Sequence, residues 1–303
     1  MSFGRCLIIA FLVAVHPAAA SCQLEFTLKN TFIEKYKDRV TIDASYTVDK
    51  AHKAPNSAVK DGDLHIAGRA PEIGLATVAE IMNAAEDSAA VAEVHSVEGT
   101  GQAIPITGAW RIWPEHGGQD AQVQGKPLSA FTTTNPEHIF EIHPITKVAT
   151  IPTSASIQWI EGYTAKDAET AFTAFENHRC KLVYDAQHHT TMIQTPMIGD
   201  NYVEFLIVLN ESPRQLSDGY MVMSQVLTLN GDLLIHKRRM VLIGGTKEAD
   251  AIKSKVAGDT VHVLGIPRID LSLVSYRTGH RSDRPDALTW NLPYEMIIVG
   301  VKE

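Results

Sequence analysis

Apolar and polar positions alternate along most of the chain in a strand-like manner. Val40, Ile42, Ala44, Tyr46 and Val48 recur at every second residue, the pattern of a strand with one buried face. Residues 61–69 (DGDLHIAGR) predict a second strand opened by an Asp-Gly turn, and residues 77–83 (TVAEIMN) a third. The period then changes. Ala89, Ala90, Val91, Val94 and Val97 fall near helical spacing, with Ser88 as the expected cap and Gly99 and Gly101 as the stop. Residues 104–113 (IPITGAWRIW) and 139–151 predict two more strands around a loop rich in Gly, Gln, Thr and Pro. Three strands, a helix and two strands is the order of an OB-type barrel.

The second half repeats the order without visible residue similarity. Thr164 opens an amphipathic helix whose buried stripe is Ala168, Ala171, Phe172 and Phe175, with Asp167 as a box-like partner. Short strands follow near Leu182 and Met192. Residues 202–209 (YVEFLIVL) form an apolar run, and Asn230-Gly231 marks a hairpin between 220–229 and 233–243. Thr246 caps a short helix through Val256. Strands at 261–264 and 269–276 are expected to close the set, and 294–301 predicts a final strand. The expected fold class is therefore mainly β with short helices: two OB-like units in tandem, residues 23–152 and 153–303.

The N-terminus adds an address. Arg5, the apolar run Leu7–Val15 and the small residues Ala18-Ala19-Ala20-Ser21 are the three parts of a secretory signal peptide over residues 1–20. The apolar run is shorter than the roughly 20 residues a membrane span needs. The expected location is periplasmic or extracellular. Cleavage after Ala20 leaves Cys22 able to pair with Cys180 in an oxidising compartment. Cleavage after Ser21 leaves Cys22 first and open to a lipid anchor, although the leucine of a full lipobox is replaced by Ala19. The net charge is −8, and loss of Arg5 with the leader makes it −9. This disfavours nucleic acid and anionic lipid as partners, since both require basic surface.

Three groups of residues carry candidate chemistry. Asp61, Asp63 and His65 alternate along one predicted strand, and Glu141 and His143 along another, with Glu80 on a third. Carboxylates and imidazoles brought together in this way can hold a divalent metal or act as general acid and base. Trp110, Trp113 and His116 beside the long loop suit stacking on a sugar or base if exposed. Lys237-Arg238-Arg239 with Arg268, Arg277, His280, Arg281 and Arg284 is the concentrated basic set, readable as an anion site or as charge on a strand edge. His188-His189 reads as a surface turn.

The fragments Asp61-Gly62-Asp63-Leu64-His65, Val78-Ala79-Glu80-Ile81, and Ile106-Thr107-Gly108 leading to Glu141-Ile142-His143-Pro144 together resemble a pattern of uncharacterised exported bacterial proteins over residues 40–148. The resemblance implies a small β-barrel unit and no established activity. The chain has no G-x-S-x-G elbow, Walker A loop, H-E-x-x-H or Rossmann glycine fingerprint, so the corresponding chemistries lose support. The expectation is a non-catalytic binding or interaction module of the cell envelope, its partner an unknown ligand or envelope protein. The alternative is a metal-dependent hydrolase built on the acidic and histidine face of the first unit.

Overall fold

The computed structural model describes residues 23–199, 201–279 and 287–302. Two closed five-stranded barrels organise them. In the first, the strands are Thr41–Ala51, Leu64–Arg69, Thr77–Ile81, Ala103–His116 and His138–Val148, and the helix Ser88–Val97 lies between the third and fourth. The third strand pairs in parallel with the fifth and closes the sheet on itself; the remaining pairs are antiparallel. The second barrel repeats this with Val203–Leu209, Gly219–Leu227, Leu233–Ile243, Thr260–Ile269 and Tyr294–Lys302, and with the helix Lys247–Ile252 in the same place. Its third and fifth strands are again the parallel pair. This is the OB order, twice.

Closure brings backbones close. A Cβ at Gly68, on the second strand, would lie 2.3 Å from the Thr47 carbonyl and 2.5 Å from the Tyr46 ring. Only glycine fits there. The Tyr46 hydroxyl uses that space to share its one proton between the carbonyls of Ile66 at 2.7 Å and Thr77 at 3.0 Å, tying three strands together.

A third sheet joins segments from both sides of the expected boundary at residue 152. Its strand order is Ala287–Asn291, Arg179–Asp185, Thr190–Pro196, Gln23–Lys29 and Gln122–Val123. Gln122–Val123 comes from the connection between the fourth and fifth strands of the first barrel, and Ala287–Asn291 from the same connection of the second. The strand Gln23–Lys29 precedes Val40, where the predicted strands begin.

Three local readings change. The segment expected as a strand over 269–276 is the helix Leu271–Gly279; Leu271, Val274 and Thr278 are buried at helical spacing, and Asp270 accepts from the Leu273 N–H. The fifth strand of the second barrel is therefore Tyr294–Lys302. Thr164 does not start its helix: Asp167 is the cap, accepting from the Thr170 N–H, and the helix runs Ala168–Asn177 with the four expected residues buried. Ser88 is the first residue of its helix and does not cap it. The expected leader over residues 1–20, Cys22, His280, Arg281 and Arg284 lie outside the described residues. Among those described, no helix is long and apolar enough to cross a membrane.

The barrels pack side by side. Val241, Ile243, Leu264, Ile266, Ile297 and Val299 on the outer face of the second barrel form one buried cluster with Val40, Met82 and Ala109 of the first and with Ile157 and Ile160 of the linker. Burying this apolar seam stabilises the pair by roughly 25 cal/mol per Å² removed from water. One buried group beside it opposes stability. Glu248, in the first turn of Lys247–Ile252, is 1% exposed, and its Oε2 has no hydrogen-bond partner. Burial pushes its pKa up to about 7 from 4.5. A carboxyl raised in the folded state contributes stability below the unfolded value and loses it as pH rises toward the folded one. The Glu248 contribution to stability should therefore fall between about pH 4.5 and 7, by on the order of 3 kcal/mol. Glu248→Gln should flatten that slope and be the more stable form at pH 8. Urea melts of the two proteins from pH 4.5 to 8 test this; parallel curves would refute it.

Candidate functional site at the seam between the barrels

The acidic and histidine residues singled out in the sequence lie on the outer face of the first barrel, turned toward the second. The third strand lies between the second and the fifth, so His65 stands opposite Glu80, and Val78 opposite Glu141. Alternation then places Asp63 and His65 beside Glu80, with Glu141 and His143 on its other side. Asp63 and His143 are fully buried, and Glu80 and Glu141 are 3% and 2% exposed.

His143 is the hub. Its Nδ1 lies 3.3 Å from Glu80 Oε2 and 3.6 Å from Glu141 Oε2, and its Nε2 lies 3.4 Å from Asp63 Oδ2. The Nε2 also contacts the Tyr202 hydroxyl at 2.8 Å, and that hydroxyl donates to Asp63 Oδ2 at 2.7 Å. Tyr202 immediately precedes the first strand of the second barrel. Arg111, fully buried on the fourth strand, pairs with Glu141 and donates through Nε to the Pro267 carbonyl of the second barrel at 2.9 Å. His138 Nε2 lies 3.4 Å from Glu141 Oε1. His65 is partly buried, its Nε2 3.7 Å from Glu80 Oε2 and its ring stacked on His52 at 4.6 Å.

Burial sets the charge states. It raises the carboxyls of Asp63 and Glu80 above the ordinary range despite the imidazoles beside them. Glu141 feels the same burial, but the Arg111 guanidinium holds it well below. For His143 burial favours the neutral ring, yet the surrounding carboxylates, Glu80 first, bring its pKa up to about 10.

Asp61 does not join the cluster. Its Oδ1 accepts from Asn56 Nδ2 and from the Asp63 N–H, holding the turn that aims Asp63 inward. The aromatic group also lies elsewhere than on an open face. Trp110 and Trp113 are 0% and 1% exposed. The Trp110 indole donates to the Arg39 carbonyl and lies under the Arg268 guanidinium, while Trp113 packs edge-on against Phe175. They are core residues. His116 is partly exposed and stacks on His138 at 5.1 Å. The basic set is divided too. Arg268 and Arg239 are buried against Glu295, whereas Lys237 faces solvent. Cys180 is buried on the strand Arg179–Asp185, and burial pushes its thiol up to about 12.

A cavity of about 620 Å³ opens at the seam, next to this cluster. Asn56, Asn83 and Glu86 of the first barrel line it, as do Trp159 and Tyr163 of the linker and Lys302 of the second barrel. Asn83 fixes the linker by donating to the carbonyls of Ser156 and Gln158. The Lys302 ammonium lies 3.8 Å over the Trp159 ring. Tyr163, in the cavity wall, packs edge-on against Tyr202 of the buried cluster at 5.4 Å, so wall and cluster touch there.

Sequence reasoning missed Arg111, His138, Tyr202 and the Trp159–Tyr163 pair. Arg111 carried a signal: a lone charge inside AWRIW on a strand buried on both faces must be paired. Tyr202 carried none, because 139 residues separate it from Asp63. No family model and no curated protein matches the chain.

Proposed function

We propose that this chain is an exported, non-catalytic binding module whose ligand site is the seam cavity, and that the ligand is a small hydroxylated molecule of sugar-ring size. The observation that carries this reading is the cavity itself. Its volume lies in the range of ligand pockets, about 300–1,000 Å³. It is walled by two aromatic rings, three side-chain amides and two carboxylates. Aromatic faces pack on the apolar face of a sugar, while amides and carboxylates read its hydroxyls. The role first assigned to Trp110 and Trp113 passes to Trp159 and Tyr163. The alternative, a metal-dependent hydrolase, requires a metal with one position open to substrate. Asp63, Glu80 and His143 are no more than 3% exposed, which favours a closed site over a catalytic one.

The test is a titration of the purified chain with mono- and disaccharides, with free nucleosides as the contrasting class, followed by tryptophan fluorescence and by melting temperature. A member of the saccharide series should saturate the signal. Trp159→Ala should weaken that binding by about 1–3 kcal/mol, roughly five- to hundredfold, while the fold is kept. No saturation by any saccharide, or equal affinity in Trp159→Ala, would overturn the assignment.

A further inference from the structure

We propose that Asp63, Glu80 and His143 bind one divalent transition-metal cation, Zn²⁺ or Mn²⁺, in a closed structural site that ties the second barrel to the first. This goes beyond the ligand reading above and does not depend on it. One ligand atom from each of the three residues lies within 4.8 Å of the others. The second observation is a set of unmade hydrogen bonds. Asp63 Oδ1, Glu80 Oε2 and His143 Nδ1 are each buried without a hydrogen bond, one on every member of the trio. Both ring nitrogens of the neighbouring His65 are in the same state. Buried polar atoms without partners are rare, and a concentration of them marks a place where a proton network or an ion belongs.

The donor chemistry selects the ion. Two carboxylates with one imidazole form a mixed nitrogen and oxygen set, which suits Zn²⁺ or Mn²⁺, and His65 stands just outside it with Nε2 3.7 Å from Glu80 Oε2. Ca²⁺ takes six to eight oxygens, which this cluster lacks. The His143 Nδ1 to Glu80 Oε2 distance of 3.3 Å equals the edge of about 3.3 Å that ligand bonds of 2.0–2.1 Å give in a tetrahedron. Charge balance agrees. Asp63, Glu80 and Glu141 bring three carboxylates to a site where Arg111 is the buried guanidinium.

The surrounding hydrogen bonds have the form that metal-ligating histidines need. With Nδ1 facing Glu80, His143 donates its Nε2–H to the Tyr202 hydroxyl, which donates on to Asp63. Such a partner fixes the tautomer and orients the ring. Because Tyr202 enters from the second barrel, docking of that barrel completes the site. The role of Tyr202 is positioning.

The experiment uses the full chain, expressed without a histidine tag and purified without chelator. Metal content by mass spectrometry should give a single equivalent of Zn²⁺ or Mn²⁺. After unfolding in EDTA and refolding, Zn²⁺ or Mn²⁺ alone should raise the melting temperature, and Ca²⁺ should not. Glu80→Gln and His143→Gln should lose the metal, whereas Asp250→Asn, at an exposed ion pair, should retain it. Tyr202→Phe should weaken affinity by about 10- to 100-fold. Wild type that holds no metal and does not respond to any added ion would overturn the site, leaving a proton-shared cluster. Metal retained equally by Glu80→Gln and His143→Gln would place it elsewhere and overturn the assignment. If those variants do not fold, the wild-type metal count and the Tyr202→Phe affinity decide the matter. A failed saccharide titration leaves every one of these outcomes unaffected.

Discussion

Arg268→Met should destabilise the protein by about 3–5 kcal/mol, the cost of breaking a buried ion pair from one side. Arg268 lies on the fourth strand of the second barrel and is fully buried. Its Nε donates to Glu295 Oε1 at 2.7 Å. Its two Nη atoms reach across the seam to the carbonyls of Val40, Trp110 and Arg39 at 2.9–3.1 Å. The guanidinium carbon lies 3.6 Å over the Trp110 ring. One planar group thus satisfies a carboxylate and three carbonyls of the other barrel, a geometry that an ammonium cannot copy. Methionine keeps most of the volume, so the loss reports unpaired polar groups more than a void. Arg239 softens the effect, because its Nε lies 3.0 Å from Glu295 Oε2. Denaturant unfolding of Arg268→Met and Arg268→Lys against wild type measures it. Arg238→Met is the control, its pairing with Glu176 being partly exposed and worth about 1 kcal/mol or less. A loss below about 1 kcal/mol for Arg268→Met would show that the seam does not depend on this bridge.

The barrels were legible because their signals are local. A period of two over Val40–Val48, Asn230-Gly231 at a hairpin and the stripe Ala168–Phe175 each need a few neighbouring residues to be read. The order of those elements then specifies the OB pairing. Residues 269–276 predict a strand because their short run of Ile, Leu and Val is ambiguous between the two periods, and the Asp270 cap decides for a helix only in three dimensions. The third sheet was invisible for a different reason: its five strands come from four distant stretches of chain, and two-residue pieces such as Gln122–Val123 have no period. The cluster was half legible. Alternation gave Asp63 with His65 and Glu141 with His143, but it could not tell that Asp61 would turn away to hold Asn56. It also could not tell which face of an all-buried strand meets the other barrel. Trp110 and Trp113 illustrate this: a sheet buried on both faces hides aromatics that a one-sided sheet would expose.

Arg111→Met should also cost about 3–5 kcal/mol, and the comparison that explains the loss is the double variant Arg111→Met with Glu141→Leu. Alone, the substitution strands Glu141 among Glu80 and Asp63 with His138 and His143 as its remaining cationic neighbours, and it leaves the Pro267 carbonyl without its donor. A buried charge without compensation is far more costly than an apolar pair of similar size. Removing the carboxylate as well should therefore restore a large part of the lost stability, although the Pro267 carbonyl stays unsatisfied. Urea unfolding of wild type, both single variants and the double variant, all in chelator so that metal occupancy does not differ between them, gives the coupling energy directly. A coupling above about 1.5 kcal/mol is expected for a fully buried, hydrogen-bonded pair. Additive losses would mean that Arg111 acts through its bond to Pro267, as a strut between barrels, with its charge playing little part. The two outcomes separate the roles that one side chain combines here: neutralising an acidic cluster and reaching across the seam to the second barrel.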